Sequence, residues 1–186
     1  MSRFIRCGTI ALALATVAAV MGVVRPAAAH DPATLRREAD AALKTLYETT
    51  PGARELVNKA SAVLVFPNIV KAGFLFGAQY GDGVLLKGGR PSGEYNISAV
   101  SYGLQAGVQA FGYAMLFMNA SALTYLDKTD GFEVGVGPSV VVLDQAAAKN
   151  LTTSTIQNDI YAFIFGQQGL MAGMGVQGSK ITRIAP

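Results

Sequence analysis

Apolar and polar residues alternate with two different periods along this chain. Between Asp31 and Lys59 the period is helical: Leu35, Ala39, Leu43, Leu46 and Tyr47 fall on one side, and Arg36, Arg37 and Lys44 on others. Asp31-Pro32 and Thr50-Pro51 each place an N-cap residue before a proline suited to the first helical position. The pattern predicts two helices, opened at Asp31 and at Thr50, the second carrying Leu56, Val57 and Ala60 inward with Arg54 and Lys59 turned elsewhere. After Ser61 the period becomes two. "VLVFP" predicts a short strand ended by Pro67. In "KAGFLFGAQY" (71–80), Ala72, Phe74, Phe76, Ala78 and Tyr80 share one face, and Lys71, Gly73, Leu75, Gly77 and Gln79 share the other.

Glycine punctuates these runs. Gly81-Asp82-Gly83 predicts a turn, with "VLLK" returning from it. A dinucleotide-binding loop needs its glycines between a strand and a helix, whereas these lie within alternating strand pattern. Gly103, Gly107 and Gly112 interrupt a second long run, Gly131, Gly135 and Gly137 a third, and Gly173 and Gly175 a fourth that turns at Gln167-Gln168-Gly169. Glycine inside a strand loses packing, and is useful where a sheet bends or another backbone comes close. The expected fold is therefore α+β: a strongly curled antiparallel sheet or partly closed barrel, with N-terminal helices and one or two short inserted helices. The inserts are expected at residues 119–128, capped by Asn119, and at residues 144–150.

The N-terminus changes the charge balance. Arg3 and Arg6 precede an apolar run of 18 residues from Cys7 to Val24, followed by "RPAAAH". A basic n-region, an apolar h-region and a small-residue junction predict a signal peptide over residues 1–29, cleaved after Ala29. One domain, residues 30–186, is then expected. The run is also long enough for a retained membrane anchor. Removal of Arg3, Arg6 and Arg25 leaves 12 basic residues against 12 acidic ones. The pI of 9.1 thus belongs largely to the signal, and a broad electrostatic case for nucleic acid disappears. Cys7 leaves as well, and with it disulfides, thiol nucleophiles and thiolate metal sites. The expected location is outside the cytoplasm, periplasmic or secreted, with peripheral membrane association.

Catalytic chemistry has little to work with. His30 is the only histidine, which excludes a Ser-His-Asp arrangement and any two-histidine metal site. Asp127, Asp130 and Glu133 cluster in sequence, but flank a predicted helix end and turn, where solvated charge is the ordinary reading. No catalytic residue, metal ligand or cofactor is expected.

Four blocks in order resemble the SYLF domain family. They are "AVLVFPNIVKAGFLFGAQYGDGVLL", "SYGLQAGVQAFGYAMLFMN", "VGVGPSVVV" and "YAFIFGQQGLMAGMGVQGSKI", and the resemblance runs from about Leu35 to Ile184. It implies a lipid-binding module. Eukaryotic members bind phosphatidylinositol phosphates and take part in actin and membrane remodelling, and bacterial members carry signal peptides. An exported chain would not meet cytoplasmic actin, so actin binding is not expected, and phosphoinositide specificity does not transfer simply to a bacterial envelope. The functional expectation is a non-enzymatic envelope protein that binds anionic phospholipid headgroups through a local basic patch, with apolar surface or groove for acyl chains. The candidate lipid-binding residues are Arg36, Arg37, Lys44, Lys59 and Lys71, with Lys87 as a further lysine near the first hairpin. Lys71 has an equal alternative role, as an edge-strand lysine that discourages pairing. The alternatives are a structural protein of the envelope or outer membrane, and a hydrolase of envelope lipid or glycan.

Overall fold

The computed structural model describes residues 31–128, 132–133, 138–143 and 158–185; at 104–105, 132–133 and 171–178 the description is of the backbone alone. Helix α1 spans Pro32–Thr49. Asp31 caps it, its carboxylate accepting from the Thr34 N–H at 3.1 Å, and proline occupies the first turn. Its buried stripe is Leu35, Ala39, Ala42, Leu43 and Leu46, as the spacing predicts. The second helix differs from expectation. Thr50 closes α1, its N–H bonding the Leu46 carbonyl, so it is not free to cap a new helix. Helix α2 instead runs Ala53–Lys59 behind Gly52, which is left-handed at φ 87°.

Three strands dominate: β1 (Ala62–Lys87), β2 (Arg90–Phe117) and the last, β5 (Ile160–Ala185). Between them lie α3 (Ala120–Lys128), β3 (Phe132–Glu133) and β4 (Val140–Leu143). The sheet order is β1-β2-β5-β3, with β4 also on β5. All pairs are antiparallel except β4–β5, which runs Val140↔Ile160 to Leu143↔Phe163 in parallel. The α+β class and the curled antiparallel sheet are borne out. So is the insert at 119–128: Asn119 accepts from the Ala122 N–H at 2.8 Å and caps α3. The expected helix at 144–150 and the glycines at 131–137 lie outside the described residues.

Three sequence readings of the strands need correction. Pro67 does not end a strand. β1 passes through it with a register shift between Phe66 and Ile69, which absorbs the missing donor. Gly81-Asp82-Gly83 is not a turn but strand, paired with Ile97, Asn96 and Tyr95. The hairpin turns at Gly88-Gly89, both with positive φ (56° and 76°), between Lys87 and Arg90. Gln167-Gln168-Gly169 likewise stays within β5, where Gly166 and Gly169 take positive φ opposite a register shift in β2.

A strand of 26 residues, if straight, reaches about 85 Å. A domain of this size is only about 40 Å across. The strands must therefore double over, and the glycines show where. A Cβ added at Gly73 lies 2.7 Å from the Gly77 Cα, although four residues of straight strand separate their ends by about 13 Å. Between them Leu75 is left-handed (φ 64°) at a shift in β1–β2 register, and Gly103 and Gly107 answer on β2 with φ of 151° and 142°. The doubled sheet closes on itself. A Cβ at Gly83 would stand 2.5 Å from the Phe66 ring and 2.6 Å from the Val65 carbonyl oxygen.

Two cores result. Inside the fold, Leu64, Phe66, Ile69, Leu85, Tyr95 and Ile97 meet Met115, Phe117, Ile160 and Ile181 across the two halves, with Leu126 of α3 closing one side. Outside, Val63, Val65, Ala114, Leu116, Phe163 and Phe165 receive the stripe of α1 and Leu56 of α2. Full burial of one leucine contributes roughly 1.5–3 kcal/mol, so Leu35, Leu43 and Leu46 alone fix α1 to this face. Asp127 ties α3 to the hairpin by accepting from the Tyr95 hydroxyl at 3.0 Å and pairing with Lys87 at 3.4 Å. It is thus a partnered structural carboxylate, not the solvated charge its sequence context suggests.

Candidate functional site

At the bend the usual polarity of a soluble sheet is reversed. On β1 the outward face carries Val70, Ala72, Phe74, Phe76, Ala78 and Tyr80. Its β2 partners in register are Ala110, Val108, Ala106, Tyr102, Val100 and Ser98. Phe74 is 75% exposed, Phe76 70%, Tyr102 66% and Leu170, opposite Val108, 87%. The Phe76 and Tyr102 rings touch with centroids 5.0 Å apart. The inward face is polar: Lys71 pairs in register with Gln109, and Gln79 and Ser101 are buried. Among the described residues no buried side-chain nitrogen or oxygen lacks a hydrogen-bond partner. Leu75 departs from the face that its spacing shares with Lys71 and Gln79 and is 44% exposed, because its left-handed backbone turns it out at the bulge.

Behind this face, inside the bend, lies a cavity of about 350 Å³. Its apolar wall is Ile69, Ile97, Phe111, Tyr113 and Ile164, continuous with the inner core. Its polar side is Lys71, Gln79, Gln109, Gln167 and Ser179. Gln79 and Ser179 both sit opposite Ala99 in the sheet, so they form one row facing the Lys71–Gln109 row. Val142, Ile164 and Gln167 are exposed and mark the mouth, at the β4–β5 side. Burial pushes the Tyr113 hydroxyl up to about 12, so it is neutral.

The five basic residues predicted from sequence are not one patch. Arg36 pairs with Asp40 at 3.2 Å and donates to the Gly89 carbonyl at 3.1 Å. Arg37 donates to the Thr34 hydroxyl, and Lys44 faces Glu48 at 3.9 Å. Those three share α1, Lys59 lies in the last turn of α2, and only Lys71 stands at the bend. Much of the positive charge of α1 is therefore offset locally. The outward aromatic face and the cavity were missed at the level of sequence. Their signal was present in the alternation of residues 70–80, which does not state which face is inside. Among the described residues no three His, Cys, Asp or Glu gather as a metal site, and no helix is long and apolar enough to cross a membrane.

Residues 98–184 match the family model described as Ysc84, Las17-binding protein actin regulator. Over these residues the chain is similar to the SYLF family, in keeping with the resemblance of its four sequence blocks. The match covers β2 from Ser98, through the inserts, to the end of β5, and so includes half of the bend and most of the cavity wall. No curated protein matches the chain. SYLF domains are in general lipid-binding modules and are not known as enzymes.

Proposed function

We propose that this chain is a non-enzymatic, peripheral lipid-binding protein of the bacterial cell envelope, and that the bend of its sheet meets anionic phospholipid. The observation that carries the reading is the reversed polarity of the bend. Large apolar side chains stand outward in register on neighbouring strands while polar ones turn inward. That is the arrangement of a surface matched to lipid, not to water. Across residues 70–80, 98–110 and 164–179 there is no carboxylate, and Lys71 is the only charged residue. Nothing there repels phosphate. A basic residue near an anionic surface contributes ~1 kcal/mol, about a fivefold preference. The apolar face supplies most of the affinity, and the charge a modest selectivity.

A spanning barrel is the less favoured reading. The outer face around Val63, Val65 and Leu116 is covered by α1 and α2, so that part of the sheet does not face lipid. The segment at residues 1–29 supports export, which brings the domain to an envelope membrane. The actin regulation in the family's description belongs to a cytoplasmic setting and is not part of this proposal.

The test is flotation of the protein, expressed from its full sequence, with vesicles of phosphatidylcholine alone and of phosphatidylcholine mixed with phosphatidylglycerol. Binding to both is expected, several-fold tighter to the anionic mixture at low salt. Absence of flotation with either overturns the proposal.

A further inference from the structure

The outward face accounts for contact with a lipid surface, but not for the cavity behind it. We infer that this cavity binds one single-chain anionic amphiphile, its acyl chain against the apolar wall and its carboxylate or phosphate at Lys71. The inference rests on the lipid-binding reading but concerns a different surface of the bend.

Three observations lead to it. The first is size. About 350 Å³ lies at the small end of ligand pockets, enough for one chain and too little for a two-chain phospholipid. The second is the division of the lining. Ile69, Ile97, Phe111 and Tyr113 make a continuous apolar wall against the inner core, while the polar groups face each other in two rows at the bend. A ligand apolar along its length and polar at one end fits that division; a sugar or a nucleotide, polar all round, leaves the wall unmatched. The third is charge. Among the described lining residues Lys71 is the one that is charged, none is a carboxylate, and Tyr113 is held neutral. The glutamines at 79, 109 and 167 and Ser179 add uncharged donors around that one cation. An anionic head is favoured there, and an ammonium head is not.

The local sequence serves the same end. Lys71 and Gln109 are cross-strand partners, which holds their side chains on one face within reach of a common head group. The doubling of β1 at Gly73–Gly77 brings Gln79 round to oppose them. The exposed mouth at Val142, Ile164 and Gln167 gives a chain a way in without unfolding the sheet.

The experiment titrates the full-length protein with laurate, dodecyl phosphate, dodecylammonium and inorganic phosphate, each below any micelle concentration, by calorimetry. Laurate and dodecyl phosphate should bind with one-to-one stoichiometry, and dodecylammonium and phosphate alone should not. Laurate against dodecyl phosphate separates a fatty-acid head from a phosphate ester. Lys71→Gln should weaken laurate at least tenfold, Lys71→Arg should retain it, and Ile164→Trp at the mouth should block it. Circular-dichroism melts confirm that each variant folds. Vesicle flotation should survive Ile164→Trp, because the outward face is untouched. If wild type floats with vesicles but takes up no laurate, the cavity inference fails and the surface reading stands. If laurate binds and vesicles do not, the surface reading fails instead. Equal laurate affinity in wild type and Lys71→Gln, or equal binding of laurate and dodecylammonium, also overturns the inference.

Discussion

The triple variant Phe74→Thr, Phe76→Thr, Leu170→Thr separates the apolar face from every other account of lipid binding. Threonine keeps strand propensity while removing most of the apolar area. The three side chains are 75%, 70% and 87% exposed, so most of their surface is available to a bilayer. Full transfer of such a side chain from water contributes roughly 1.5–3 kcal/mol. Discounted for the part already buried and for the methyl that threonine keeps, the three together are worth about 4 kcal/mol. At 1.4 kcal/mol per tenfold, that is a loss of about a thousandfold in vesicle affinity. Charge at Lys71, by comparison, is worth about fivefold. Folding should hardly change. The substitutions remove the packing of the Phe76 ring on Tyr102, worth about 0.5–1.5 kcal/mol, or a few degrees in Tm. Flotation with phosphatidylcholine vesicles reads the first effect and a thermal melt the second. A triple variant that melts normally and floats like wild type refutes the assignment of the bend to lipid.

Other outcomes follow from the same geometry. Gly83→Ala places a Cβ 2.6 Å from the Val65 carbonyl oxygen; a backbone atom cannot swing aside, so a loss of about 1–3 kcal/mol, read as a fall in Tm, is expected. The Tyr113 pKa is raised by burial to about 12, against about 10 in an unfolded chain. The folded state therefore holds a proton that the unfolded state releases, so stability present below pH 10 declines as pH rises towards 12; Tyr113→Phe should flatten that part of the stability profile in denaturant titrations. The cations of α1, half-buried Arg36 and exposed Arg37 and Lys44, test the helix reading. With Asp40 and Glu48 offsetting part of their charge, Arg36→Gln, Arg37→Gln, Lys44→Gln should weaken binding to anionic vesicles only modestly and at low salt only, since screening at physiological salt shortens their reach to about 8 Å. Affinity for neutral vesicles should not change, and a loss there counts against a purely electrostatic role for α1.

Much of the fold was legible because local rules and tertiary packing agree. Asp31-Pro32 both caps and starts α1, and the leucine stripe needs nothing but one apolar surface to bury. Asn119 caps α3 in the same self-contained way. The misreadings share one cause: turn chemistry used for something other than a turn. Gly81 and Gly83 look like a hairpin, yet they are glycine because the other half of their own strand lies on top of them. Thr50-Pro51 looks like a helix start, yet Thr50 is already engaged in closing α1. A close approach between residues 18 positions apart in sequence, such as Val65 and Gly83, leaves no local trace that distinguishes it from a turn.

The site was harder to read, and for a different reason. Period two divides residues 70–80 into two faces, from which only Leu75 departs at the bulge, but periodicity has no sign. The usual assumption puts the phenylalanines inside and the lysine and glutamine outside. The structure does the opposite: the outward side of the bend leaves Phe74, Phe76 and Tyr102 exposed, while the inward side is shared by two halves of one sheet. The inward side there carries Gly73, Gly77, Gln79 and Ser101, the last two buried. The same geometry that turns the aromatics outward therefore leaves a small polar-lined hollow behind them. On this account the lipid-facing surface and the cavity are two consequences of a single fold in the sheet. Changes that straighten the bend, at Gly73 or Gly77, should then abolish both together, whereas loss of the outward apolar side chains should leave laurate uptake intact and a blocked mouth should leave flotation intact.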